Sequence, residues 1–137
     1  MARRITVTEK DLSRITLLLD GVRAYSEPDV MNRRKLRDLL FSANVVPSRE
    51  IPGSVVTMNS RVSVRDPRTG GGMVYTLVYP EMADYHKGFV SILAPLGTAL
   101  IGACVGEVVC WEVPKGEKQL EIVDILYQPG ISGDLHA

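Results

Sequence analysis

Apolar positions in the first part of the chain recur with helical spacing. Leu12, Ile15, Leu18, Leu19 and Val22 fall at intervals of three and four, which predicts a helix from about Thr8 to Val22. Thr8, with Asp11 three residues on, supplies a capping pair for its start, and Gly21 frays its end. A second start signal is Ser26-Glu27-Pro28-Asp29: the serine can cap, proline is tolerated in the first turn, and Asp29 complements the helix dipole. Val30, Met31, Leu36, Leu39, Leu40 and Ala43 then give the stripe of a second helix. So short a connection predicts antiparallel neighbours, a helical hairpin whose arms of about 15 residues reach only about 22 Å.

After Ser54 the period falls to two. Val55–Met58 and Arg61–Arg65 read as one strand or a bent pair, with Val62 and Val64 inward and Arg61, Ser63 and Arg65 outward. Asp66 to Gly72, with three consecutive glycines, turns the chain. Met73–Tyr79 and Phe89–Leu93 have strand composition, and Glu107–Val113 pairs through Pro114-Lys115-Gly116-Glu117 with Gln119–Tyr127. Between the third and fourth strands, Pro95 to Cys104 predicts a short helix, with Leu96, Leu100, Ala103 and Cys104 on one face. About five strands and one inserted helix behind a helical hairpin make an α+β chain. Two prolines and a glycine between Asn44 and Ser54 mark the break, giving a hairpin over 1–49 and a sheet domain over 50–137.

Composition supports a globular chain, with 45% apolar and 23% charged residues in 137. The 16 basic and 16 acidic residues cancel, which argues against a general nucleic-acid coat protein. The charge is nevertheless uneven: residues 1–49 carry ten basic and six acidic groups, and the acidic excess lies beyond them. Arg33, Arg34, Lys35 and Arg37 form a basic patch that wraps the second helix. With Asp38 in reach of Arg34, it reads as a solvated face or as a contact for an acidic partner or a nucleic-acid backbone.

Catalytic chemistry is hard to place. His86 sits in a polar loop and His136 next to the C-terminal residue, neither beside a nucleophile, so both read as solvated and no catalytic residue is assigned. Cys104 and Cys110 lack the close pairs of a zinc site and read as buried packing; no metal or cofactor is expected. Two cysteines, and no apolar segment after the Met-Ala-Arg-Arg start, fit a cytoplasmic, reducing home. The uncharged run from Gly88 to Gly106 approaches a membrane span in length, but Pro95, Gly97, Gly102 and Gly106 divide it, so no membrane partner is expected. Opposite Leu96 and Leu100 that run presents Gly97, Thr98, Ile101 and Gly102. This face is either buried under the domain's own sheet or a surface on which another protein's backbone approaches.

Four ordered segments carry a family resemblance: Val55-Val-Thr-Met-Asn-Ser-Arg-Val62, Thr76-Leu-Val-Tyr-Pro80, Ala94-Pro-Leu-Gly-Thr-Ala-Leu-Ile-Gly102 with Val105-Gly-Glu107, and Leu126-Tyr-Gln-Pro129. Over residues 55–129 the chain resembles the bacterial GreA/GreB transcription factors, in particular their small relatives associated with nucleoside diphosphate kinase regulation. The resemblance implies an FKBP-like antiparallel C-terminal sheet with one short helix, an N-terminal coiled coil, and RNA polymerase as partner, bound at the rim of its secondary channel. Carried over by position, the polymerase-docking residues are Ala94, Pro95, Gly97 and Leu100, with Ala94 standing where the cleavage factors usually have serine. The coiled-coil tip falls at Ser26, Glu27 and Asp29.

In the cleavage factors an Asp-x-x-Glu pair at that tip helps hold the polymerase's second magnesium. Here Glu27 aligns with the second acid and Ala24 with the first, and the hairpin is about half as long. The resemblance therefore implies a non-cleaving competitor of other channel-binding factors, with indirect nucleic-acid contact in the transcription complex. Two other readings stay open. One is an FKBP-type peptidyl-prolyl isomerase, for which eight aromatic residues are a poor supply; the other is direct contact with nucleoside diphosphate kinase.

Overall fold

The computed structural model describes residues 4–21, 23 and 26–129. Two helices, α1 (Glu9–Gly21) and α2 (Glu27–Phe41), lie between two three-residue strands, β1 (Thr6–Thr8) and β2 (Asn44–Val46), which pair in parallel. The remaining elements are β3 (Arg61–Arg65), β4 (Gly72–Val78), β5 (Phe89–Ser91), α3 (Pro95–Leu100), β6 (Val108–Val113) and β7 (Gly116–Tyr127). They form a five-stranded mixed sheet of order β5-β4-β3-β7-β6. The α+β class follows from the two periods in the sequence.

The start of α1 obeys its sequence signal: Asp11 N–H donates to Thr8 Oγ1 at 3.0 Å. Ile15 and Leu19 turn into the core; Val22 lies outside the described residues. In α2 the stripe is rotated from the expected one. Leu36 and Leu40 are buried, but Val30 and Met31 are exposed, and Arg33 takes the inward position between them and Leu36. A buried guanidinium is tolerated because it is paired: Arg33 Nε bonds Asp29 Oδ1 at 3.3 Å and Nη2 donates to the Arg23 carbonyl at 3.3 Å. The ion pair at helical spacing is thus Arg33–Asp29. Arg37 reaches α1, donating to Asp20 Oδ1 at 3.3 Å and to the Leu19 carbonyl at 3.0 Å.

In the sheet, Val62 and Val64 are buried and Arg61 and Arg65 exposed, as alternation requires. Outward Arg65 pairs with Glu121 of β7. The Asp66–Gly72 turn is closed by Asp66 N–H to the Gly71 carbonyl and Gly70 N–H back to the Asp66 carbonyl, with Gly70 at φ 79°. Two expectations are corrected. The sheet is not wholly antiparallel: β5 runs parallel to β4, because the chain returns from Val78 through 3-10 turns at Pro80–Met82 and Tyr85–Lys87 instead of a tight hairpin. Val55–Met58 is not a strand of the sheet. It threads between α1 and the segment after α3, with Val56 N–H donating to the Ala103 carbonyl and Gly102 N–H to the Val56 carbonyl.

One hydrophobic core unites both parts, bringing Ile5, Val7, Ile15, Leu36 and Leu40 against Val56, Met58, Leu100 and Ile101. A polar tie reinforces it: buried Asp11 accepts a hydrogen bond from the Met58 N–H at 3.0 Å. Burial raises the Asp11 carboxyl above the usual range, against the lowering effect of the Met58 and Thr8 hydrogen bonds and of Lys10 and Arg14. Nearby Tyr79 is also raised, by burial first and the Asp11 charge second.

The amide of Met58 needs an acceptor but not a charge. Asp11→Ala should lower unfolding free energy by about 1–3 kcal/mol, the cost of an orphaned buried donor, whereas Asp11→Asn should retain the fold. Because the folded-state pKa is raised, the folded protein holds more protons than the unfolded chain between the ordinary and the raised value. Asp11 therefore makes stability fall as pH rises through that window. Urea titrations at a series of pH values should show Asp11→Asn gaining on the wild type across this window and holding a constant difference above it.

Candidate docking surface

α3 begins with Pro95 in its first turn after Ala94, whose side chain offers no cap. The chain compensates from inside. Thr98 Oγ1 donates to the Ile92 carbonyl at 3.0 Å, and Thr98 N–H donates to the Ala94 carbonyl. From α2, Asn32 Nδ2 donates both to the Leu93 carbonyl at 2.9 Å and to Thr98 Oγ1 at 3.0 Å. One amide thereby joins the second helix to the head of the third.

The small residues of the segment serve close approach within the chain. A Cβ at Gly97 would fall on the Ser91 carbonyl oxygen, and one at Gly102, which has φ 73°, would fall on the Ile5 side chain. Gly97, Thr98, Ile101 and Gly102 are all buried, so the charge-free face is covered by the protein itself. The helix is shorter than expected: it stops at Leu100 because left-handed Gly102 turns the chain back to pair with Val56. Of the four residues expected to dock, Gly97 and Leu100 are inside, the latter 0% exposed, and shape the segment without being reachable. Pro95 is exposed and Ala94 half-buried.

Pro95 does not stand alone. A groove of about 370 Å³ runs between α2 and the α3–β6 edge, with Pro28, Met31 and Lys35 on one wall and Pro95, Ala99 and Cys110 on the other. Exposed Met31 gives it an apolar lip; Glu27 and Glu112 supply acid. Cys110 is exposed and Cys104 half-buried, so packing accounts for neither fully, and no disulfide joins them.

Of the expected tip residues, Glu27 lines the same groove, whereas Ser26 and Asp29 do not. Ser26 caps α2 by accepting from the Asp29 N–H at 3.2 Å, Glu27 is exposed, and Asp29 is engaged by Arg33. Glu27 is five residues from Asn32, so the tip stands about 7.5 Å along the helix from its attachment to α3. The basic patch divides: Arg33 and Arg37 hold the helix pair together, whereas Arg34 and Lys35 face solvent. Sequence reasoning missed Asn32 and Met31 as members of this surface, since a lone amide and a displaced apolar residue carry no period.

Among the described residues no group of three or more His, Cys, Asp or Glu side chains is placed to hold a metal ion. No helix there is long and apolar enough to cross a membrane. His86 is exposed in a 3-10 turn, and His136 lies outside the described residues.

Residues 51–127 match the family profile "Transcription elongation factor, GreA/GreB, C-term". The chain is 37% identical over 133 residues to a regulator of nucleoside diphosphate kinase from Escherichia coli, covering 95% of this chain and 94% of that one. It is 36% identical to the transcription elongation factor GreA of Amoebophilus asiaticus over 72% of its own length and 64% of that protein's. A solved prokaryotic transcription elongation factor GreA/GreB from Nitrosomonas europaea superposes with a TM-score of 0.76 at 35% identity, over 92% of this chain and all of that one.

Close packing behind α3 sets a test of which residues build the segment and which it displays. Gly97→Ala should destabilise by about 1–3 kcal/mol, because backbone must shift to admit the methyl group. Pro95→Ala should change stability by less than about 1 kcal/mol, its ring being exposed. Thermal melts of the two variants beside wild type decide this.

Proposed function

The chain belongs to the GreA/GreB transcription factor family, and from that premise we propose that it docks on RNA polymerase at the rim of the secondary channel and competes with other channel-binding factors without stimulating transcript cleavage. In this reading residues 50–137 form the FKBP-like docking domain and residues 1–49 an antiparallel coiled coil too short to reach the catalytic magnesium. The protein acts in the cytoplasm as a regulator without chemistry of its own.

One observation carries the reading: Asn32 pins α2 to α3, so the tip lies beside the docking segment instead of far in front of it. A cleaving factor must deliver two carboxylates to a distant metal. Here Glu27 is exposed, but Asp29 is committed to Arg33, and the position of the first acid is alanine, Ala24. Affinity at the channel mouth needs neither reach nor a second acid.

The wide similarity to a protein named for regulating nucleoside diphosphate kinase supports a second reading, direct contact with that kinase. Co-purification of the kinase with this protein in the absence of polymerase would favour it.

Core RNA polymerase should retain the wild-type protein, and Pro95→Glu should weaken retention by at least about tenfold by burying an unpaired charge in the contact, with an unchanged melt. Equal retention removes the docking assignment. Purified polymerase stalled on a backtracked transcript should show no accelerated cleavage on adding the protein, and less cleavage when a cleavage factor competes with it. Robust stimulation would overturn the non-cleaving part.

A further inference from the structure

A second cleft, of about 420 Å³, opens where the β3–β4 turn, the β6–β7 hairpin and the loop before β5 meet. Although aromatic residues are scarce in the chain, three of its eight line this one space: Tyr75, Tyr85 and Trp111. Tyr85 is 93% exposed, meeting His86 edge-on at 6.2 Å, and Trp111 is half-buried. An aromatic ring left so open in water gains nothing for folding.

Charges around these rings are unequally used. The Asp66 carboxylate is turned back on its own turn, accepting from the N–H groups of Arg68 and Thr69 at 2.8 and 3.4 Å. Glu117 accepts from the Gln119 side chain at 3.4 Å. Arg68 and Lys118 also line the cleft, and among the described residues neither cationic head has a partner. Available in the cleft are thus flat π-faces and two uncommitted cations. An apolar peptide would leave the cations unused, and inorganic phosphate would leave the rings bare. A planar base joined to a phosphate engages both, through stacking and charge-assisted hydrogen bonds.

We propose that this cleft binds a nucleotide unit, its base against Tyr85 and Trp111 and its phosphate on Arg68 and Lys118. A free nucleotide and the end of a single RNA strand share this chemistry. The proposal stands apart from polymerase docking, since the cleft shares with the docking groove only Trp111.

Trp111 is the chain's single tryptophan, so its fluorescence reports directly on occupancy. The full chain is titrated separately with AMP, adenosine, inorganic phosphate, a single-stranded RNA octamer and a proline-rich peptide. Saturable quenching by AMP assigns a free nucleotide, and saturation by the octamer alone assigns a strand end; either upholds the proposal. Adenosine should bind at least about tenfold more weakly than AMP, and phosphate alone should not quench. Tyr85→Ala, and separately Arg68→Ala with Lys118→Ala, should each weaken binding at least about tenfold, with melting curves unchanged because all three side chains are exposed. The proposal is overturned by absence of saturable quenching with both AMP and RNA, by adenosine binding as well as AMP, by indifference to both variants, or by saturation with the peptide alone.

Discussion

Two backbone groups in the sheet domain are completed by side chains from the helix pair, and this fixes how the two parts sit together. The Met58 N–H finds its acceptor in Asp11 of α1, and the Leu93 carbonyl finds a donor in Asn32 of α2. A buried or half-buried peptide group left without a partner costs as much as a lost hydrogen bond. Hence the helices cannot swing away from the sheet without leaving these groups bare and opening the apolar seam of Ile5, Ile15 and Leu36 against Val56 and Leu100. Burial of a few such side chains is worth about 1.5–3 kcal/mol each, and the polar ties add direction to that non-directional attraction.

The same attachment governs what the helix pair can do. Asn32 is attached to the head of α3 only five residues from Glu27, so the start of α2 is held close to the sheet domain. Asp29, a second acid in the first turn of α2, is held by Arg33, whose guanidinium also reaches the Arg23 carbonyl. Pairing this buried guanidinium has consumed the carboxylate. Glu27 remains exposed over the groove that Pro95 and Met31 border, with Glu112 as the groove's other acid.

Features governed by short-range periodicity were legible in the sequence. Thr8 and Ser26 cap the helices they were expected to cap, and Val62 and Val64 alternate with outward arginines because a pleated strand with one wet face leaves no other option. The features that escaped depend on separations no window contains: Asp11 meets Met58 across 47 residues and Asn32 meets Leu93 across 61. β1 and β2, at three residues each, are too short to show a period, and their pairing exists only because the helices bring their ends together. The parallel direction of β5 depends on how two 3-10 turns route the chain, and the phase of α2 on Arg33 finding partners inside. Local spacing could suggest neither.

The uncharged stretch around α3 illustrates why composition alone misleads about surfaces. A run of small and apolar residues reports that some backbone comes close, but not whose. Here the approach is intramolecular: Gly97 admits the Ser91 carbonyl and Gly102 admits Ile5, which leaves the smooth face unavailable to another protein. What remains accessible is the proline at the helix head, together with whatever the neighbouring element sets beside it. Because Asn32 holds α2 there, that neighbour is the lip of Pro28 and Met31. The accessible surface beside α3 is therefore composite, contributed by two segments more than 60 residues apart, and its integrity depends on the internal hydrogen bonds that bring them together.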